Sequence, residues 1–233
     1  MPEIVYEDNH LLIAVKPPKQ LTQSDTTGDL ALLDELKEYL RLKGKKPGEA
    51  YLGLVHRLDR PVGGLVAFAK TSKAAARLSE QLRAHTMGRE YLAVAEDGAT
   101  LPEEGTFRDG LKPKAGTGGS VIVPEGTEGA QLAVLHFTKI AQHGGTALLR
   151  VRLETGRKHQ IRAQLAFHGH PLKYDMRYGH GDVGRTVGLW GSWLTLTHPT
   201  LKETMTFTSA PRGDAFDSYR AEIDGMFPRK NKR

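Results

Sequence analysis

The apolar residues of this chain arrive in short runs, each closed by turn formers, and that punctuation confines it to a fold built mostly from strands. Leu11-Leu12-Ile13-Ala14-Val15 runs into Pro17-Pro18, where a missing amide and a fixed φ stop a strand. Across the polar Glu7-Asp8-Asn9-His10, Ile4-Val5-Tyr6 supplies a partner, so the first residues predict a hairpin. Tyr51 to Val55, Leu65 to Lys70 and Gly88 to Ala95 predict further strands, and Leu132 to Ile140 pairs with Ala147 to Leu153 around His143-Gly144-Gly145. Two more are expected near Trp193–Thr197 and Thr204–Thr208. Helical spacing is confined to a few segments. Asp29 is expected to cap a helix running to about Leu42, whose apolar Leu32, Leu33, Leu36 and Leu40 recur at helical spacing, ended by Lys43-Gly44-Lys45-Lys46-Pro47-Gly48. Ser72 is expected to cap a second, with Ala74, Leu78 and Leu82 as its seam. A third spans Lys158 to His168 and ends at Gly169, and a short one lies around Asp214 to Ile223.

No internal repeat and no low-complexity linker divides the chain. The expected fold is a single α+β domain, a mixed and mostly antiparallel sheet flanked by helices and loops, over residues 1–227. A basic tail, Pro228 to Arg233, follows. No apolar run is long enough to cross a bilayer, and Met1-Pro2-Glu3-Ile4-Val5 lacks the basic start and apolar block of a signal peptide, so no membrane association and a cytoplasmic location are expected. The absence of cysteine excludes disulfides, thiolate catalysis and cysteine-based zinc sites. A formal charge of +6 favours a polyanionic partner, because lysine and arginine gain affinity by releasing counterions condensed on phosphates. With no long exposed apolar stripe, a monomer is expected.

Three blocks carry the candidate chemistry. In His56-Arg57-Leu58-Asp59-Arg60 one carboxylate sits between two arginines at the end of a strand, an arrangement that suits a nucleophile or base. Arg89-Glu90-Tyr91 opens a strand, and Thr155-Gly156-Arg157-Lys158-His159-Gln160-Ile161-Arg162 turns into a helix. Taken singly, each has a structural explanation: a turn-capping acid, a half-buried strand tyrosine, a surface arginine. His168-Gly169-His170 and His180 lack the spacing of a known metal site, and no metal is expected. Gly116-Thr117-Gly118-Gly119, in the glycine- and lysine-rich stretch Lys112 to Gly119, lacks the pattern of a phosphate loop and reads as a mobile connection.

Together, and in this order, the three blocks resemble the RluA-type branch of the RNA pseudouridine synthases. The likeness adds Gly64-Leu65, Phe68-Ala69-Lys70, Gly169-His170-Pro171-Leu172 and Asp175, and runs from about Ile4 to Pro199. The resemblance implies the pseudouridine synthase catalytic fold and a reaction without cofactor. In that reaction the bond between ribose C1′ and uracil N1 is cleaved, the base is rotated, and C1′ is rejoined to C5. It further implies that Asp59 is the catalytic aspartate, Tyr91 the ring that contacts uracil, and Arg162 the basic partner of Asp59, with Leu165 in the apolar wall of the pocket. Arg57, Arg60 and His159, on the same motifs, are the implied substrate-binding residues. RNA, ribosomal or transfer, is the implied partner. An ionised carboxylate is able to attack C1′ or the uracil ring, or to take a sugar proton, and the residues leave these routes open. An arginine beside it holds the charge without supplying a proton. A stacked base hides its reacting atoms, so the uridine must be flipped out and covered by an aromatic ring.

The chain departs from the family pattern at two places, with Val62-Gly63 where Thr-Ser is common and Lys173-Tyr174 where Leu-Gly or Ile-Gly precedes the aspartate. Two rival readings are a non-catalytic RNA-binding protein on the same scaffold and a glycosidic-bond hydrolase. The hydrolase needs a second acid, for which Glu90 and Asp175 are the formal candidates.

Overall fold

The computed structural model describes residues 1–44, 50–116 and 118–228. Of the expected helix stop Lys43 to Gly48, the first two residues still belong to the helix, while Lys45 to Gly48, Thr117 of the glycine–lysine stretch and the basic tail beyond Pro228 lie outside the described residues. In chain order the elements are β1 (Glu3–Glu7), β2 (Leu11–Lys16), α1 (Leu32–Gly44), β3 (Gly53–Leu54), β4 (Gly63–Ala69), α2 (Ser72–Arg83), β5 (Gly88–Glu96), β6 (Glu104–Pro113), β7 (Ser120–Val123), β8 (Gln131–His143), β9 (Thr146–Leu153), α3 (Gln160–Phe167), β10 (Leu189–Thr197) and β11 (Thr204–Thr208). A 3₁₀ helix, Asp214–Tyr219, then leads into α4 (Arg220–Met226). No helix among the described residues is long and apolar enough to cross a membrane.

The chain divides into two compact units. The first comprises Met1–Arg89 and Gly191–Ser209. Its strands lie in the order β1-β2-β4-β10, with β11 on β10 and β3 beside β4. The expected hairpin is present: β1 and β2 are antiparallel, and Oδ1 of Asp8 accepts the His10 and Leu11 amides at 2.7 Å each. Antiparallel β2 and β4 run in register from Leu11 against Ala69 to Lys16 against Gly64, and both are buried along their whole length. Strands covered on both faces read as continuous apolar runs, which is why these two were legible.

Two expected caps are corrected. The first helix begins at Leu32, where the Leu32 and Leu33 amides bond the Leu21 and Thr22 carbonyls, while the carboxylate of Asp29 is taken by Arg60. The second helix is capped by Thr71, whose Oγ1 accepts the Ala74 amide at 3.1 Å, one residue before the expected Ser72. The strand expected over Tyr51–Val55 contracts to Gly53–Leu54.

The second unit comprises Glu90–Trp190 and the residues from Ala210 onward. Its strands lie in the order β5-β9-β8-β6-β7, antiparallel throughout. Strands β6 and β7 were not expected, because EGTFRDGLKP mixes two glycines with charges instead of alternating cleanly. Gly105 in β6 has a packing reason: a Cβ there would stand 2.6 Å from Cζ of Phe137 on β8. Helix α3 seats Ala163 against Leu111 and Ala133 of the sheet.

One glycine of the first unit carries a backbone conformation that only glycine adopts readily. Gly64 has φ +127°, and an added Cβ would come within 2.6 Å of the Gly191 backbone. Gly64→Ala is therefore expected to lower stability by at least about 3 kcal/mol in urea unfolding; a change under about 1 kcal/mol would show that these two backbones separate freely.

Candidate active site

Asp59 sits in a four-residue turn closed by the Val62 amide, which donates to the Asp59 carbonyl at 3.0 Å just before β4. The chain on both sides of it is pinned. Ahead of it, buried Thr22 donates its hydroxyl to the Leu58 carbonyl at 2.8 Å and accepts the Leu58 amide at 3.2 Å. After it, the Arg60 carbonyl accepts from Nζ of Lys16 at 3.2 Å. Lys16 is fully buried and also donates to the carbonyls of Pro17 (3.0 Å) and Gln20 (2.7 Å). All three N–H groups of an ammonium are thus occupied. Burial pulls the Lys16 pKa down to about 7; the charge of Asp59 opposes that fall and Arg60 adds to it.

The arginines flanking Asp59 have different surroundings. Arg60 pairs with Asp29 and donates Nε to the Lys19 carbonyl at 3.2 Å, so it ties the turn to the 19–29 segment, while Arg57 is exposed. His56 accepts the Ala67 amide on Nε2 at 3.1 Å. Burial, with the charge of Arg89 adding to it, takes its pKa down to about 3. It is a neutral fastener between the turn and β4, with its ring proton on Nδ1.

In the second unit, Tyr91 stands on β5 opposite Val151 of β9 and is nearly buried. Arg162, in the first turn of α3, is also buried. Its guanidinium meets Asp175 in a fork, Nε to Oδ2 at 2.7 Å and Nη2 to Oδ1 at 2.8 Å, and lies 5.2 Å over the ring of Tyr178. Oδ1 of Asp175 also accepts the amides of Arg177 (2.9 Å) and Tyr178 (3.2 Å). Burial alone would raise the Asp175 pKa, but Arg162 and these amides outweigh it and hold the carboxyl below its usual range. The Tyr178 hydroxyl accepts the Ser120 amide at 2.7 Å and shares a hydrogen bond with Nδ1 of His159 at 2.9 Å. His159 itself precedes α3 with φ 55°. Leu165 is completely buried on α3.

Several residues support the site in roles the motifs did not disclose. Gln160 accepts the Thr155 hydroxyl and the Arg157 amide on Oε1 and donates to the Val134 carbonyl at 3.0 Å, so Thr155 and Gln160 fasten the start of α3 to β8. The signal for them was the pair of polar side chains framing a glycine before an apolar helix. Lys16 and Thr22 carried only the weak signal of a polar residue ending an apolar strand and one in a loop. Both acids considered for a hydrolase have other duties: Glu90 pairs with Arg150 at 2.6 Å, and Asp175 is fully buried under Arg162. The histidines are dispersed, His168 stacked on Phe107 and bonded to Asp109, His180 bonded to Glu96.

A profile described as RNA pseudouridylate synthase matches residues 10–167, which include Asp59, Tyr91 and Arg162. This chain belongs to the RNA pseudouridylate synthase family. A Bacillus subtilis relative, the uncharacterized RNA pseudouridine synthase YhcT, is 36% identical over 86% of this chain and 66% of its own length. Ribosomal large subunit pseudouridine synthase C of Escherichia coli O157:H7 is 30% identical over 91% of this chain and 66% of its length. The chain thus spans just under two thirds of the length of these relatives. In fold it is similar to the human RNA pseudouridylate synthase domain containing 4, with a TM-score of 0.75, 21% identity, and coverage of 95% of this chain and 92% of that one. The mostly antiparallel sheet with four helices is the fold of this pseudouridine synthase family.

Two outcomes follow from the fastenings seen in this family member. Lys16→Met leaves the Gln20 and Arg60 carbonyls without their donor and is expected to cost about 1–3 kcal/mol in urea unfolding. Amide exchange at Val62 should quicken with it, and unchanged exchange would show that Lys16 does not hold the turn. For Asp175, whose folded pKa is depressed, the stabilisation is full above the unfolded carboxylate value of about 4 and is lost as pH falls through the lower folded value. The urea midpoint should therefore drop on acidification below about pH 4, and Asp175→Asn should flatten that drop; an equally steep acid dependence in the variant would place the titrating group elsewhere.

Proposed function

We propose that this protein is an RNA pseudouridine synthase, converting uridine in RNA to pseudouridine without a cofactor, with Asp59 as its catalytic carboxylate. The observation that carries the reading is the match of the family profile across the Asp59 turn, the Tyr91 strand and the Arg162 helix within one stretch of chain. The pinned backbone around Asp59 supports it, since a reacting oxygen must be held to a fraction of an ångström to be effective. In this reading residues 1–227 act as one catalytic domain.

The reaction is an isomerisation whose atoms balance within the nucleotide. The C1′–N1 bond breaks, C1′–C5 forms, and C5 gives up a proton while N1 gains one. Asp59 acts as nucleophile or base. Tyr91 covers the flipped uracil, and Arg162, oriented by its fork to Asp175, serves as the charge partner of Asp59. Leu165 backs the pocket wall, while Arg57, Arg60 and His159 hold the RNA. The relatives named as ribosomal large subunit pseudouridine synthases favour large-subunit ribosomal RNA as the substrate class; transfer RNA is the alternative, and mapping of pseudouridine in cells with and without the protein separates them.

Incubated with unmodified cellular RNA, the purified protein should form pseudouridine, and Asp59→Asn should reduce formation to background. Arg162→Ala should cost more activity than Arg60→Ala. Activity retained by Asp59→Asn would overturn the assignment, and RNA binding without isomerisation by the wild type would favour a non-catalytic RNA-binding protein.

A further inference from the structure

Among the described arginines that are not exposed, Arg77 donates to the Pro199 carbonyl, Arg157 to that of Leu132, Arg162 to Asp175 and Arg220 to the Pro211 carbonyl. Arg89 differs. Its side chain is half buried, its Nε is shielded from water and meets no acceptor, and its guanidinium makes no hydrogen bond or ion pair among the described residues. Only Nε is shielded in this way, so the Nη end of the fork meets solvent.

The charge of Arg89 is felt by His56, three residues before Asp59, and helps keep that ring neutral. His56 in turn is engaged with the Ala67 amide, so it offers the guanidinium no negative charge. Arg89 also stands two residues before Tyr91, and along a strand residues i and i+2 share a face. A cation partly withdrawn from water without a counter-charge is costly to keep. An anion arriving from outside would remove that cost. A neutral uracil carbonyl would supply a hydrogen bond without the missing charge, whereas a phosphodiester supplies both, in the geometry a guanidinium fork prefers.

We propose that Arg89 is a substrate-binding residue that takes a phosphodiester oxygen of the RNA beside the His56–Asp59 segment. The proposal rests on the reading that the substrate is RNA. Binding of a fluorescein-labelled oligouridylate, measured by anisotropy across a series of salt concentrations, tests it on wild type, Arg89→Gln and Arg89→Lys. Arg89→Gln should weaken binding about 10- to 100-fold at low salt, and its plot of log affinity against log salt should be shallower by about 0.7, one phosphate contact on a single strand. Arg89→Lys should keep the slope of the wild type while binding less tightly, because the charge remains and the fork is lost. An unchanged slope in Arg89→Gln overturns the proposal. Should that variant fail to fold, Arg89→Lys decides alone: affinity equal to the wild type overturns the fork contact. A wild type that binds with the expected slope yet forms no pseudouridine sinks the enzymatic reading and leaves Arg89 as an RNA contact, whereas full isomerisation with an unchanged slope in Arg89→Gln sinks only the latter.

Discussion

The ammonium of Lys16 is the constraint on which the architecture around Asp59 depends. It ends a strand that is buried throughout, and it is held there by three carbonyls drawn from its own exit loop and from Arg60. A buried lysine is an expensive element, since burial disfavours its charged form, and the fall of its pKa to about 7 reports that cost. The return is geometric. One side chain closes the Pro17–Gln20 loop and fixes the residue after Asp59, and Thr22, reached through the same loop, fixes the residue before it. Both contacts act on the backbone on either side of Asp59.

The second unit solves a related problem with opposite means. Arg162 is buried as well, but its charge is balanced locally by Asp175 in a two-bond fork and is backed by the face of Tyr178. Removing one member of such a pair leaves a bare charge in a poor solvent, so the pair is kept or lost as a whole. Tyr178 extends the arrangement to β7 through the Ser120 amide and to the start of α3 through His159. The orientation of one guanidinium is thus tied to three separate segments of chain, which explains why the third sequence block is long and why Asp175 belongs with it.

How far the sequence disclosed this depended on whether the signal was local. Strands β2 and β4 were legible because both faces are covered and their residues are uniformly apolar, and the hairpin at Asp8 because its turn residues bond their own backbone. Strands β6 and β7 were missed: one face of β6 is exposed and carries charges, and its Gly105 makes room for a distant ring on β8. The cap at Asp29 failed for a similar reason, since its carboxylate answers to Arg60, thirty-one residues away. In the candidate site the reacting residue types stood out by motif; Lys16 and Thr22 lay outside every motif, and Thr155 and Gln160, inside the third block, showed no role of their own. Their roles are bonds to carbonyls and amides of remote segments, and backbone acceptors leave no mark in the sequence.

This distribution of fastenings also bears on the pair that departs from the family pattern. Hydroxyls on the two residues before Gly64 would be natural partners for a turn carrying an acid, and here Val62 and Gly63 offer none. Both positions are buried, so a hydroxyl at either would itself need a partner to avoid a cost of about 1–3 kcal/mol. Apolar Val62 carries no such requirement, and its amide still closes the turn on Asp59. The polar work lies elsewhere in the chain, in Lys16 at the end of β2 and Thr22 in the loop after it, which grip Arg60 and Leu58 by their backbones and are indifferent to the side chains that follow. The turn can therefore lose its own hydroxyls and keep its geometry, because what holds Asp59 in place was never confined to its motif.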